Sequence, residues 1–207
     1  MKITVVGATG TAGSRITAEA LRRGHHVTAA SRSGAPLPGA TAVRADATDG
    51  ERMRELFAGT DVIVGATRPA PGQEHVVGET TTALLDAALA ADRRVLVVGG
   101  AGPLRTPADP ERLVVDDPAY VAAEWRTIAA ASVDQLEVCR THQADWTYLS
   151  PPAVLEPGER TGHYRRGGTT LLVGTDGVSR ISAEDFAVAV LDELENPSGA
   201  KHFTVAS

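Results

Sequence analysis

Short apolar runs alternate with longer amphipathic stretches almost to the end of the chain, and this rhythm limits the fold more than any other feature. Residues 3–6, 27–31, 41–44, 61–64, 95–98, 146–149 and 203–206 read as strands. Most are continuous Val, Ile, Leu and Ala, as in strands covered on both faces. Between them the spacing predicts helices over 11–23, 51–57, 74–91, 122–142 and 183–194. The first ends at Gly24, a residue suited to the position after a helix. The third carries Val77, Leu84, Ala88 and Ala91 on one face, and the fourth has a stripe of Trp125, Ile128, Ser132, Leu136 and Cys139 with charges opposite. Ser182 ahead of Asp185 resembles a capping start for the last. Strand and helix in turn predict an α/β fold, a doubly wound and mostly parallel sheet with helices on both faces. At 207 residues the chain fits a single domain, 1–207, without an internal repeat or a dividing linker.

Two stretches interrupt the rhythm. Residues 99–118 are rich in Gly, Pro and Asp, and residues 151–168 hold Pro-Pro, Pro-Gly and Gly-Gly turns. Each follows the carboxyl end of an expected strand, where open α/β sheets bind ligands, so both are expected to face a small-molecule acceptor.

Charge and composition remove other classes. The net charge is -6, and no long basic run is present, which disfavours nucleic acid and anionic membranes as partners. The first apolar stretch is too short for a signal peptide or a spanning helix, so a cytoplasmic location is expected, as a monomer or homodimer. Cys139 is the single cysteine, which excludes an internal disulfide and paired-cysteine zinc sites; it is expected to be a small buried residue in a helix. The six histidines are scattered, so no metal site is expected.

"VVGATGTAGSRI", residues 5–16, spaces three glycines three apart between the first strand and the first helix. In that context the pattern is a dinucleotide fingerprint and makes the fold Rossmann-type. Gly7 would allow the tight turn, Gly10 the close approach of backbone to a pyrophosphate, and Gly13 the packing of helix on strand. Thr9, Thr11 and Ala12 would lie alongside as donors at the positive end of the helix. An NAD site would close the second strand with an acid for the ribose hydroxyl; here Ser31 and Arg32 stand there. Arg32, with Ser31 beside it, suits a 2′-phosphate, so NADP(H) is expected in preference to NAD(H). Asp46 and Ala47 would border the adenine, although a turn role for Asp46 is equally open. Ala66, Thr67 and Arg68 would border the ribose and pyrophosphate.

With these pieces in place the chain resembles the atypical short-chain dehydrogenase/reductase superfamily in its NmrA-like, NAD(P)H-binding branch. Within it the likeness is to small NADH-flavin reductase-like proteins, with the biliverdin reductase B/flavin reductase group more distant. The matching stretches are "GATGTAG", "SR", "RVLVVGGAG", "DWTYLSPPAVLEPGERTGHYR", "ISAEDFAVAVLDELENP" and "HFTVAS", nearly the whole chain. The resemblance implies a Rossmann fold, NADP and hydride transfer, and leaves the substrate open.

Ordinary members of the superfamily protonate a carbonyl with a Ser, Tyr and Lys set. No Tyr-x-x-x-Lys exists here, the two lysines are Lys2 and Lys201, and the fifth strand ends in Gly99-Gly100-Ala101-Gly102 without a serine. A flavin or quinone tolerates that lack, because its reduced form is a delocalised anion that solvent can protonate. Ser150, Pro151 and Pro152 would contact the nicotinamide. His163 and Tyr164 would stack on or donate to the acceptor, with Arg165 and Arg166 near its anionic groups, and Tyr120 is a weaker acid candidate. The reading is therefore an NADPH-dependent oxidoreductase acting on a flavin or other conjugated acceptor, without a Ser-Tyr-Lys set. Its rivals are a non-catalytic NADP(H)-binding redox sensor of NmrA type, and a biosynthetic tailoring reductase or isomerase using Tyr120 or His163.

Overall fold

A computed structural model describes residues 1–70 and 72–207. In chain order the elements are β1 (Lys2–Val6), α1 (Thr11–Arg22), β2 (His26–Ser31), β3 (Thr41–Arg44), α2 (Gly50–Phe57), β4 (Val62–Gly65), α3 (Val77–Ala90), β5 (Arg94–Val98), α4 (Arg126–Thr141), β6 (Trp146–Ser150), β7 (Val154–Glu156), β8 (Arg165–Gly167), β9 (Arg180–Ser182), α5 (Ala183–Glu195) and β10 (His202–Ala206). One-turn helices at Glu74–Val76, Val114–Asp116 and Ala123–Trp125 interrupt the loops.

The main sheet runs β3-β2-β1-β4-β5-β6-β10-β8, and only β8 is antiparallel to its neighbour. The chain winds outward from β1 to β3, then returns past β1 to β4. This reversal opens a crevice above the carboxyl ends of β1 and β4. Helices α1 and α5 pack together on one face, and α2, α3 and α4 lie side by side on the other.

The unbroken apolar strands follow from having two covered faces. Val62 and Val64 join the core under α1 and α5 with Ile16, Phe186 and Phe203, whereas Ile63 between them joins the opposite core with Phe57, Leu84 and Leu136. Each such side chain contributes on the order of 1.5–3 kcal/mol by leaving water. Cys139 lies fully buried in α4, as expected of a small apolar residue.

Three differences from the expected elements have local causes. The third and fourth helices each open with a separate one-turn segment, because neither has a side-chain cap to start a longer helix. Trp125 ends the second of these segments and is 55 % exposed, outside the buried stripe of Ser132, Leu136 and Cys139. Strands β7, β8 and β9 fall where no apolar run exists; each has three residues, at most one of them buried, and is held by pairing to β9, β10 or β7.

Candidate functional site

β1 delivers the chain to a turn built on the last residues of β2, where the N–H groups of Gly7 and Ala8 both donate to Ala30 O at 2.9 and 3.1 Å. Gly7 has φ +84°, and a Cβ there would lie 2.4 Å from Ala66 O, so only glycine fits. A Cβ on Gly13 would stand 2.2 Å from Gly7 O, which ties the first turn of α1 onto the strand. Gly10 is different: the nearest atom to a Cβ would be Gly7 O at 3.4 Å, so the fold itself has room for a side chain there.

Helix α1 starts bare. Gly10 caps it without a side-chain bond and no acid lies in its first turn, whereas Asp49 caps α2 and Ser182 caps α5. Its positive end therefore faces the turn with no internal anion, with Thr9 and Thr11 exposed and Ala12 half-buried beside it. Such a set of donors over an open Gly10 fits a pyrophosphate.

At the far side of the turn, Ser31 closes β2 opposite Arg44 of β3. The buried Ser31 hydroxyl accepts from Gly34 N–H at 3.1 Å and lies 3.4 Å from the Ser33 hydroxyl. Arg32, Arg44 and Arg68 are exposed, and none forms an ion pair among the described residues. Sequence reasoning missed Arg44, although its place at the end of the third strand puts it next to Ser31 in register. Asp46 accepts from the N–H and hydroxyl of Thr48 at 3.0 and 2.9 Å. Those bonds, with Arg32 adding a smaller effect, hold its carboxyl below the usual range, so it braces the turn and keeps an exposed face. Ala47 is buried beside it, while Ala66 and Thr67 are half-buried at the end of β4 and flank Gly7.

Above β5 the glycines are dictated by packing. A Cβ on Gly99 would meet the Tyr148 ring at 2.0 Å, one on Gly100 the Ser132 side chain at 2.8 Å, and one on Gly102 the Ala129 carbonyl at 2.2 Å. The absent serine therefore has a steric reason. Tyr148 is fully buried; its hydroxyl donates toward Ser132 O at 2.9 Å, lies 3.1 Å from the Gln135 amide and accepts from Gly100 N–H at 3.3 Å. Burial raises its phenol well above the ordinary range, so it stays a protonated support for the β5 loop. Ser150 is also buried, 3.0 Å from His202 Nε2, and Pro151 and Pro152 are buried after it. His202 meets Tyr148 edge-on at 5.3 Å, and burial pushes its imidazole down to about 4. The Ser150 hydroxyl, expected at the nicotinamide, is thus tied to β10. Tyr120 stands in the loop after β5, half-buried against Leu104, Val114 and Leu171.

Residues 157–166, in the stretch expected to face an acceptor, do not stay over the sheet's carboxyl edge. They run as a strap across α1 and α5: Gly158 N–H donates to Glu184 at 2.7 Å, Arg160 pairs with Glu19 at 2.9 Å, and Thr161 and Gly162 donate to Asp185 at 2.6 and 2.7 Å. Tyr164 donates to Asp192 at 2.8 Å, near the α5 end that leads to the amino end of β10. Burial and that bond push its phenol up to about 12. Arg166 pairs with Glu193 and covers Phe203, and Arg165 donates to Ser207 O. The structure therefore places Tyr164 and both arginines against their own supports, with the His163 side chain exposed on the strap. The sequence held no local sign of this, because most of the partners lie on α1, α5 or near the chain end, far along the chain from the strap. Burial alone would raise Glu19, but Arg22, Arg160 and Arg23 around it outweigh that and hold it well below the carboxylate range. A groove of about 320 Å³ behind α1, lined by these ion pairs, belongs to the strap.

Among the described residues there is no group of metal-ligating side chains and no helix long and apolar enough to cross a membrane.

A switch-point crevice, a glycine turn and a bare helix start define the class of NAD(P)-binding Rossmann proteins. The chain belongs to the NAD(P)H-binding family, whose model matches residues 7–194. It is 37 % identical to the Bacillus subtilis (strain 168) protein YwnB over 210 residues, covering 100 % of this chain and 99 % of that one. Among crystal structures it resembles a "putative exported protein" of Burkholderia pseudomallei, with 40 % identity, TM-score 0.89 and 100 % of both chains covered. It also resembles SP1627 of Streptococcus pneumoniae TIGR4, described as "a putative NADH-flavin reductase", with 30 % identity, TM-score 0.91, and 100 % of this chain and 99 % of that one covered.

Proposed function

We propose that this protein is a cytoplasmic oxidoreductase that passes a hydride from NADPH to a flavin or another conjugated acceptor such as a quinone. The observation that carries the cofactor half is the uncapped start of α1 over the open face of Gly10. In this reading the backbone N–H groups of residues 9–13 hold the pyrophosphate. Arg32 and the neighbouring Arg44, neither in an ion pair among the described residues, hold the 2′-phosphate beside Ser31. Bound NADPH supplies a hydride from nicotinamide C4. The glycines above β5 keep the loop flat against Tyr148 and α4, so the residues there orient the reactants and exclude water rather than donate a proton.

The acceptor half rests on what surrounds that edge. Tyr148 is buried and Tyr164 is bound to Asp192, so neither is free to act as an acid. An acceptor that spreads the incoming charge over its own rings needs none. The likeness to a structure described as "a putative NADH-flavin reductase" supports the same class. Oxidation of NADPH with FMN, FAD and naphthoquinones tests the reading; turnover with at least one is expected.

The absence of a Tyr-x-x-x-Lys pair favours a second reading, a redox sensor that reports the NADP+/NADPH ratio. That reading requires unequal affinity for the two forms, since only differential binding shifts a state. NADPH binding without turnover, together with such an inequality, would select it over catalysis.

A further inference from the structure

The chain holds eight aromatic residues, two Trp, three Tyr and three Phe, and the fold consumes most of them. Phe57, Phe186, Phe203 and Tyr148 are buried in the two cores, Trp146 is buried with Lys201 over its ring, and Tyr164 is bound to Asp192. Two differ. Trp125 is 55 % exposed, and among the described residues its ring makes no aromatic or cation–π contact and its indole N–H no hydrogen bond. The Tyr120 phenol likewise has no hydrogen-bond partner among them, and one side of its ring lies on the small cluster of Leu104, Val114 and Leu171.

Both residues lie on the segment that joins the carboxyl end of β5 to α4. The start of α4 is drawn to that end, because Gly102 packs on Ala129 and Gly100 on Ser132, and Arg126 pairs with Asp116 in the middle of the loop at 2.5 Å. On its other side α4 packs beside the one-turn helix Glu74–Val76 that follows β4. Trp125 therefore stands at the carboxyl edge of the sheet, above β5, the edge to which the hydride-transfer reading assigns the nicotinamide. An exposed indole costs solvation in a chain that buries nearly every other large apolar ring, and a planar conjugated ligand is the chemistry that covers it best.

We propose that Trp125 is the stacking surface for the hydride acceptor, with Tyr120 at its edge, so that the site selects planar conjugated rings over small aliphatic carbonyls. This rests on the hydride-transfer reading above and names the residue that reads the substrate. The indole acts on acceptor affinity and leaves cofactor affinity alone.

The two tryptophans differ enough in exposure to be followed separately. With NADP+ bound, FMN and a naphthoquinone are titrated into the wild-type protein, Trp125→Phe and Trp125→Ala, reading tryptophan emission and calorimetric affinity, and NADPH oxidation is measured beside them. The expected result is quenching that is lost in Trp125→Ala. Acceptor affinity should weaken about tenfold in Trp125→Ala and about twofold or less in Trp125→Phe, with NADPH affinity unchanged. Weakening for FMN alone would identify a flavin as the acceptor, and weakening for the quinone alone a quinone; either supports the stacking. Turnover with acceptor affinity equal in all three proteins would overturn the role of Trp125 and leave the hydride-transfer reading standing. No binding and no turnover in the wild type would remove both.

Discussion

In the proposed reading, cofactor choice rests on a few side chains at the end of β2. Arg32 and Arg44 are exposed and form no ion pair among the described residues, unlike Arg23 with its partners Asp192 and Glu195; the carboxylate that feels Arg32 is Asp46, which is held by Thr48. Removing one charge-assisted contact to a phosphate weakens binding by about tenfold or more. Arg32→Ala should therefore weaken NADPH by at least that factor and leave NADH within about twofold, measured by calorimetric titration. Equal losses for both would show that Arg32 does not meet the 2′-phosphate. His202 gives a second test at this scale. Its folded pKa of about 4 lies below the ordinary 6.5, so between those values the unfolded chain takes up a proton that the folded chain refuses. Stability is complete above pH 6.5 and falls as the pH drops toward 4, by ~2 kcal/mol after allowing for partial exposure. Urea unfolding at pH 7 and 4.5 should show this loss in the wild type and a smaller one in His202→Gln.

At the scale of the element, the first βα unit was legible and the strap was not. The three glycines could be read because strand, turn and helix are contiguous, and the structure gives separate reasons for two of them: Gly7 for its φ and Gly13 for its contact with Gly7 O. Gly10 is required by neither. Gly10→Ser, which places a good capping residue at the start of α1, should keep the thermal midpoint within about 5 °C of the wild type while weakening NADPH by more than about tenfold. A loss of stability without a loss of affinity would make Gly10 a packing residue. The strap escaped the sequence because its order comes from Glu19, Asp185, Asp192 and Glu193, side chains far away along the chain. Strand β8 carries two arginines and no apolar run, so only its pairing with β10 makes it a strand. Ser150 was legible as the end of β6, but its attachment to His202, 52 residues on, was not.

For the whole molecule, the doubly wound sheet explains why one face of the chain is left for chemistry. Both helix layers seal the cores, the strap runs across the back of α1 and α5, and the turn after β1 and the loops after β4 and β5 leave the sheet at the carboxyl edge of the switch point. The central claim is that this crevice transfers hydride from bound NADPH to a conjugated acceptor without a side-chain acid. The most direct measurement is a single-turnover reaction without oxygen, in which protein mixed with NADPH meets FMN or a naphthoquinone and the nicotinamide absorbance is followed. Loss of that absorbance in step with reduction of the acceptor, slowed when C4 carries deuterium, is the expected result. NADPH that remains bound and unchanged in the presence of every such acceptor would contradict it.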